Sequence, residues 1–172
     1  MIVILHNIRS LHNVGSIFRT ADAAGIEKIY LCGITPAPVD DFGKPRQQLT
    51  KVSLGAEKYV PWEHIKSTVK IINKLKKEKY KIFAIEQSKK SIPYYKANSK
   101  RQMANRKIAL IVGNEISGLP RSVLKKSDKI LEIPMRGAIV RQALHPRRTR
   151  RGKESLNVAV AFGIVVFHFR HN

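Results

Sequence analysis

Acidic residues are scarce in this chain: 12 Asp and Glu stand against 33 Lys and Arg, giving a net charge of +21 and an isoelectric point near 10.5. A balance this basic favours a polyanionic partner, because Lys and Arg that neutralise phosphates release condensed counterions. A uniformly lysine-rich composition produces the same totals without such a partner, so charge alone nominates nucleic acid and does not assign it. Cysteine is nearly absent. Cys32 cannot form an internal disulfide, which fits a reducing, cytoplasmic setting. Long apolar runs are missing too. Met1–Leu5 is too short for a signal peptide, and the run Leu156–Phe167, at twelve residues, falls short of the roughly 20 a bilayer crossing needs. A soluble protein with no membrane partner is expected. There is no Gly-Lys-Ser/Thr phosphate loop, no internal repeat and no recognisable Ser-His-Asp or Cys-His set. His168 and His171 sit at i, i+3 without further ligands, so no metal site is expected.

What is present reads as one α/β domain spanning 1–172, the size of a single well-packed unit. Met1–Leu5 reads as a buried strand. A helix follows near Asn13, a good N-cap, with Val14, Ile17, Phe18 and Ala21 on one face, and Gly25 ends it. Ile29–Cys32 is the second strand, closed by Gly33 and the Thr35-Pro36-Ala37-Pro38 turn, and Cys32 is expected merely to pack there. A short helix after Pro45, a minor strand over Lys58–Val60, a lysine-coated helix over Glu63–Lys79 and a strand over Lys81–Ile85 come next. Ser88–Arg106 reads as a connection, Ile108–Val112 as the most apolar strand, Arg121–Lys126 as a helix after Pro120, and Ile130–Ile133 as the last strand. The alternation predicts a mostly parallel sheet of about five or six strands with helices on both faces. From Leu156 to Phe167 the residues are apolar all round apart from Asn157 and Gly163, so a helix there must be covered on every side, as a core and subunit-contact element.

Ligands of open parallel sheets bind beyond the carboxyl ends of the strands. Three informative segments fall at such ends: 7–19, 113–119 and 133–137. Together with the Ser155-Leu156-Asn157 step they bring a carboxylate (Glu115), a guanidinium (Arg19), amides (Asn13, Asn157), a hydroxyl (Ser155) and glycines at 15, 113 and 118 that let a backbone come close to a ligand. The pattern Gly113-x-Glu115-x-x-Gly118 is not a dinucleotide fingerprint, since a carboxylate replaces the glycine that a pyrophosphate would approach.

The stretches Asn13-Val14-Gly15-Ser16-Ile17-Phe18-Arg19-Thr20-Ala21, Ile111-Val112-Gly113-Asn114-Glu115-Ile116-Ser117-Gly118-Leu119, and Ile133-Pro134-Met135 with Ser155-Leu156-Asn157-Val158-Ala159 resemble, in order, the three motifs of the SpoU/TrmH family of S-adenosylmethionine-dependent RNA ribose 2′-O-methyltransferases, of the SPOUT class. The resemblance implies a C-terminal deep trefoil knot, a homodimer, S-adenosyl-L-methionine held around Gly113, Ile133, Met135 and Leu156, and tRNA or rRNA as substrate. It places Arg19 nearest the methyl transfer, with Asn13, Glu115, Ser155 and Asn157 arranging the site. A guanidinium is a poor proton acceptor, so binding the RNA phosphate or stabilising a developing oxyanion is its physically easier role. Taken singly, Arg19 also fits an ion pair with Asp22, and Glu115 a loop cap.

The chain departs from the family between its third-motif halves. Family members pass from Ile-Pro-Met-x-Gly to Ser-Leu-Asn in a few residues, whereas here Ala138–Gly152 adds fifteen, carrying Arg141, Arg147, Arg148, Arg150 and Arg151 and no acid. With Arg136, Arg147, Arg148, Arg150 and Arg151 are the candidate RNA contacts beside Arg19. Three readings compete: a basic arm that grips RNA, a loop without specific role, which costs little because closure entropy grows logarithmically, and a segment that damages the site. The last leaves open a knotted RNA-binding protein that no longer methylates.

Overall fold

The computed structural model describes residues 1–97, 107–135 and 155–171. Its centre is a parallel sheet of seven strands: β1 (Ile2–His6), β2 (Lys28–Cys32), β3 (Trp62–Ile65), β4 (Lys81–Ile85), β5 (Ile92–Pro93), β6 (Ile108–Val112) and β7 (Lys129–Glu132), in the order β3-β2-β1-β6-β4-β7-β5. Every pairing among them is parallel. Because successive strand residues point to opposite faces, the continuous apolar runs feed two cores. Val3, Leu5, Ile29, Leu31, Phe83, Leu110 and Val112 pack on one side under α1 (Leu11–Ala23), α2 (Gln47–Ser53) and the C-terminal helix. Ile2, Ile4, Tyr30, Cys32, Ile82, Ala84, Ala109 and Ile111 pack on the other side under α3 (Thr68–Lys77) and α4 (Arg121–Leu124). Both faces are therefore covered by helices, as the alternation predicted. Cys32 is buried and unpaired.

Several local expectations need correction. The N-cap of α1 is Ser10, whose hydroxyl accepts from Asn13 N at 3.2 Å, so Asn13 lies inside the first turn with its amide free to reach elsewhere. The strand expected over Lys58–Val60 is a 3-10 turn (Ala56–Lys58), and the pairing segment begins after Pro61. Proline has no N–H for a ladder, and Trp62–Ile65 behind it supplies what a sheet edge needs. The lysine-coated helix accordingly starts later, at Thr68, capped by Ser67. The 88–106 connection contains β5, a short edge strand with too little periodicity to be legible. These two edge strands make the sheet seven rather than five or six.

α5 (Val158–His171) buries Val158, Phe162, Val165, Val166 and Phe169 but leaves Val160, Ile164 and Phe167 exposed along one side, so within the single chain it is not covered all round. Among the described residues no helix is long and apolar enough to cross a membrane. The knot expected of the C-terminal part, Arg136, Arg147, Arg148, Arg150, Arg151 and the insertion 138–152 fall on 136–154, outside the described residues.

Candidate active site

From β1 the chain steps one way to β2 and β3, then crosses over to β4; β6 later fills the place between β1 and β4 and leads outward the other way to β7, so the order reverses between β1 and β6. The loops leaving these two neighbours diverge there, which opens the crevice where open sheets bind ligands. The loop after β1 leads to α1 and the loop after β6 runs from Gly113 to Leu119. Asn13 on α1 donates its amide N–H to the Glu115 carboxylate, and Asn157 donates its amide N–H to Asn13 Oδ1 at 3.0 Å. Asn157 in turn caps α5, its Oδ1 accepting from Ala159 N at 2.9 Å. Three segments far apart in sequence thus meet in one chain, Asn157–Asn13–Glu115. The two amides relay a fixed orientation from a helix start to a carboxylate.

The loop that carries Glu115 is shaped by its neighbour. Asn114 is buried; its Oδ1 accepts from Ile116 N at 2.8 Å and Ser117 N at 3.1 Å, and its Nδ2 donates to the Asn7 carbonyl at 2.8 Å. Asn7 has a left-handed backbone, φ 55°, and its Oδ1 accepts from Ile34 N at 3.1 Å. That fixes the amide so that Nδ2 faces His6 Nε2, 3.1 Å away, which must then be the ring's acceptor, leaving Nδ1–H to donate to Thr68 Oγ1 at 2.7 Å. Burial pushes the His6 pKa down, consistent with this neutral ring.

Beside the relay lies a cavity of about 420 Å³ at the carboxyl ends of β4, β6 and β7. All four residues expected to hold a cofactor, Gly113, Ile133, Met135 and Leu156, line it, together with Glu115 and Ser155. Asn13, Asn157 and Arg19 are not among its described lining residues. Arg19 is exposed on α1, and the ion pair with Asp22 is not formed. Glu86, Gln87 and Glu132 also line the cavity and escaped the sequence reading. Glu86 follows β4 directly, so the rule that picked out the other strand ends would have found it. Its Oε2 accepts from Leu119 N at 2.8 Å, tying the Glu115 loop to β4.

The glycines divide by role. Gly15 packs two helices: a Cβ there would lie 2.6 Å from the Leu49 carbonyl oxygen on α2, so it serves close packing rather than a ligand. Gly118 has φ +62° and gives the Glu86 carboxylate the space a Cβ would take.

A model of the SpoU rRNA Methylase family matches residues 1–141. The chain is 29% identical over 167 residues to a putative TrmH family tRNA/rRNA methyltransferase of Staphylococcus haemolyticus, covering 96% of this chain and 56% of that protein. It is 27% identical over 167 residues to the tRNA (guanosine(18)-2′-O)-methyltransferase of Aquifex aeolicus, covering 97% of this chain and 67% of that one. It therefore spans between about half and two thirds of these relatives. Among solved structures, the AdoMet-bound rRNA methyltransferase from Sinorhizobium meliloti superposes with a TM-score of 0.78 at 27% identity, covering 98% of this chain and 55% of that chain. The A. aeolicus TrmH/SpoU tRNA modifying enzyme gives 0.75 at 26%, covering 98% and 73%.

Proposed function

The chain belongs to the SpoU rRNA methylase family, and from that premise we propose that it is an S-adenosylmethionine-dependent methyltransferase acting on the ribose 2′-OH of a tRNA or rRNA nucleotide. The observation that carries this reading is the Asn157–Asn13–Glu115 relay, which ends on a carboxylate that lines the cavity. The cavity fits the cofactor chemically. Its volume, about 420 Å³, is within the usual range for small-molecule sites. Leu119, Leu131, Ile133 and Leu156 give it apolar walls, and Glu86, Glu115 and Glu132 line it in a chain with only 12 acids, a complement to a cationic sulfonium.

S-adenosylmethionine held there supplies an electrophilic methyl group. The protein's own task is to align a ribose hydroxyl with that group and to manage its proton. Asn13 fixes one oxygen of the Glu115 carboxylate, and in this reading the other orients or receives the 2′-OH proton. Ser155 and Leu156 close the cavity on the side where α5 begins. Arg19 suits the phosphate next to the target ribose. Arg19 is exposed on α1, the helix whose Thr20 methyl packs near Gly163 of α5, and α5 carries the exposed strip of Val160 and Ile164. A second copy docked on that strip would cover it and carry Arg19 to a partner's cavity, which is why the homodimer is part of this reading.

The test is transfer of a radiolabelled methyl group to total RNA, followed by nucleoside analysis for 2′-O-methylation, with the full chain and one lacking Ala138–Gly152. Ribose-methylated nucleosides are expected from the full chain. Cofactor binding without transfer by either protein would refute the proposal.

A further inference from the structure

Phe42 stands 88% exposed at the tip of a hairpin between β2 and α2. The frame beneath it is tightly held. Val39 and Pro45 form an antiparallel bridge, Asp40 N donates to the Lys44 carbonyl at 2.9 Å, and Gly43 N donates to the Asp40 carbonyl at 3.0 Å. The Asp40 carboxylate accepts from Phe42 N and Lys44 N, each at 2.9 Å, and Arg46 N donates to the Pro38 carbonyl at 2.8 Å. Pro38 and Pro45 fix φ on either side of the tip. The ring is thus offered to solvent by a preorganised support, which reduces the ordering cost of any contact it makes.

A single exposed apolar side chain is ordinary; its setting is what distinguishes this one. Lys44 and Arg46 follow it, Lys51 is exposed on α2, and the Asp40 carboxylate is turned inward onto backbone N–H groups. Asp41 is the exposed acid of the tip, so the ring rather than net charge is the tip's main attraction. The hairpin also rises from the edge of the sheet that carries the site. Ile34 N is held by Asn7 at 3.1 Å, and Thr35 Oγ1 accepts from Ile8 N at 3.1 Å, joining the start of this segment to the loop after β1. The helix it leads into lies against Gly15 on α1, two residues from Asn13.

We propose that Phe42 is a stacking platform for an unpaired nucleobase of the RNA, with Lys44 and Arg46 meeting the adjoining phosphates. This rests on RNA being the substrate. An exposed aromatic ring with cations close by in the chain, Lys44 exposed and Arg46 half-buried with its Nε on the Val39 carbonyl, has the components that bind single-stranded nucleic acid with little sequence preference. A protein-interface core would deplete those charges.

The test measures binding of a short oligoadenylate and of inorganic polyphosphate, a polyanion without bases, to the full chain. Phe42→Ala is expected to weaken the oligoadenylate by about 5- to 100-fold and to leave polyphosphate unchanged. Phe42→Trp restores RNA affinity and Phe42→Leu does not. Lys44→Gln weakens both ligands and lowers the salt slope by about 0.7. Equal loss for both ligands with Phe42→Ala, no loss for RNA, or a changed sedimentation coefficient that makes the ring a protein contact would each overturn the platform while leaving the methyltransferase reading intact. Failure of the unaltered chain to bind oligoadenylate or tRNA, while it binds S-adenosylmethionine, would remove the RNA reading itself. Thermal melting of each variant checks that the fold is retained.

Discussion

Replacing Gly118 by Ala strains the loop in two ways that a second substitution separates. The left-handed backbone, φ +62°, costs a residue with a Cβ about 1 kcal/mol relative to glycine. The new Cβ would also lie 2.5 Å from Glu86 Oε2, well inside contact distance. Glu86 must then swing away and release Leu119 N, which it holds at 2.8 Å, a charge-assisted bond to a largely buried residue worth about 2 kcal/mol. Gly118→Ala alone should therefore cost about 3 kcal/mol, and Glu86→Ala alone about 2 kcal/mol. In the double variant the bond is already gone, so the total should stay near 3 kcal/mol rather than 5, a coupling of about 2 kcal/mol. Urea denaturation of the four proteins measures the cycle. Calorimetry with S-adenosylmethionine should show the same pattern, because Glu86, Gly118 and Leu119 all line the cavity. Additive losses would refute the idea that Gly118 is glycine to make room for Glu86.

Asn13→Ala should lower the methyl-transfer rate on the order of 10²-fold by breaking the relay, while cofactor affinity holds, because Asn13 does not line the cavity; single-turnover transfer and calorimetry distinguish the two. His6, whose pKa is depressed by burial, should make stability depend on pH. The neutral ring is favoured in the fold, so its contribution is complete above the unfolded value near 6.5 and is lost as pH falls from there through the folded value. Urea midpoints across that range should fall with acid in the native chain and fall less in His6→Gln. Val160→Glu, at a half-exposed position of α5, should leave the thermal midpoint of the single chain unchanged but prevent self-association in sedimentation velocity, and transfer should be lost with it.

The sequence by itself determined the class of fold and nominated most of the residues that meet at the candidate site. The apolar runs over Ile2–Leu5, Ile29–Cys32, Ile82–Ile85 and Ile108–Val112 are long enough to be strands buried on both faces, and such strands lie in parallel sheets between helices. The motif residues Gly113, Glu115, Ile133, Met135, Ser155 and Leu156 were legible because three stretches of the chain resemble, in order, the motifs of one family, and the structure collects them on one cavity.

What only the tertiary structure decided depends on distances between segments. A capping signal is local, yet Ser10 and Asn13 are both residues of that kind; Ser10 takes the cap, while Asn13 bonds Glu115 and Asn157 across 102 and 144 positions of chain, which no local signal announces. Gly15 looks in sequence like a glycine for a ligand, and only the approach of α2 shows that it serves helix packing. Short edge strands such as Ile92–Pro93 carry no period of their own and exist because β7 offers them a partner. The strip of Val160 and Ile164 is indistinguishable in sequence from the buried face of the same helix. An all-apolar helix must be covered everywhere, and it is the packing of α1 and the sheet that settles which side the chain covers itself and which it leaves open.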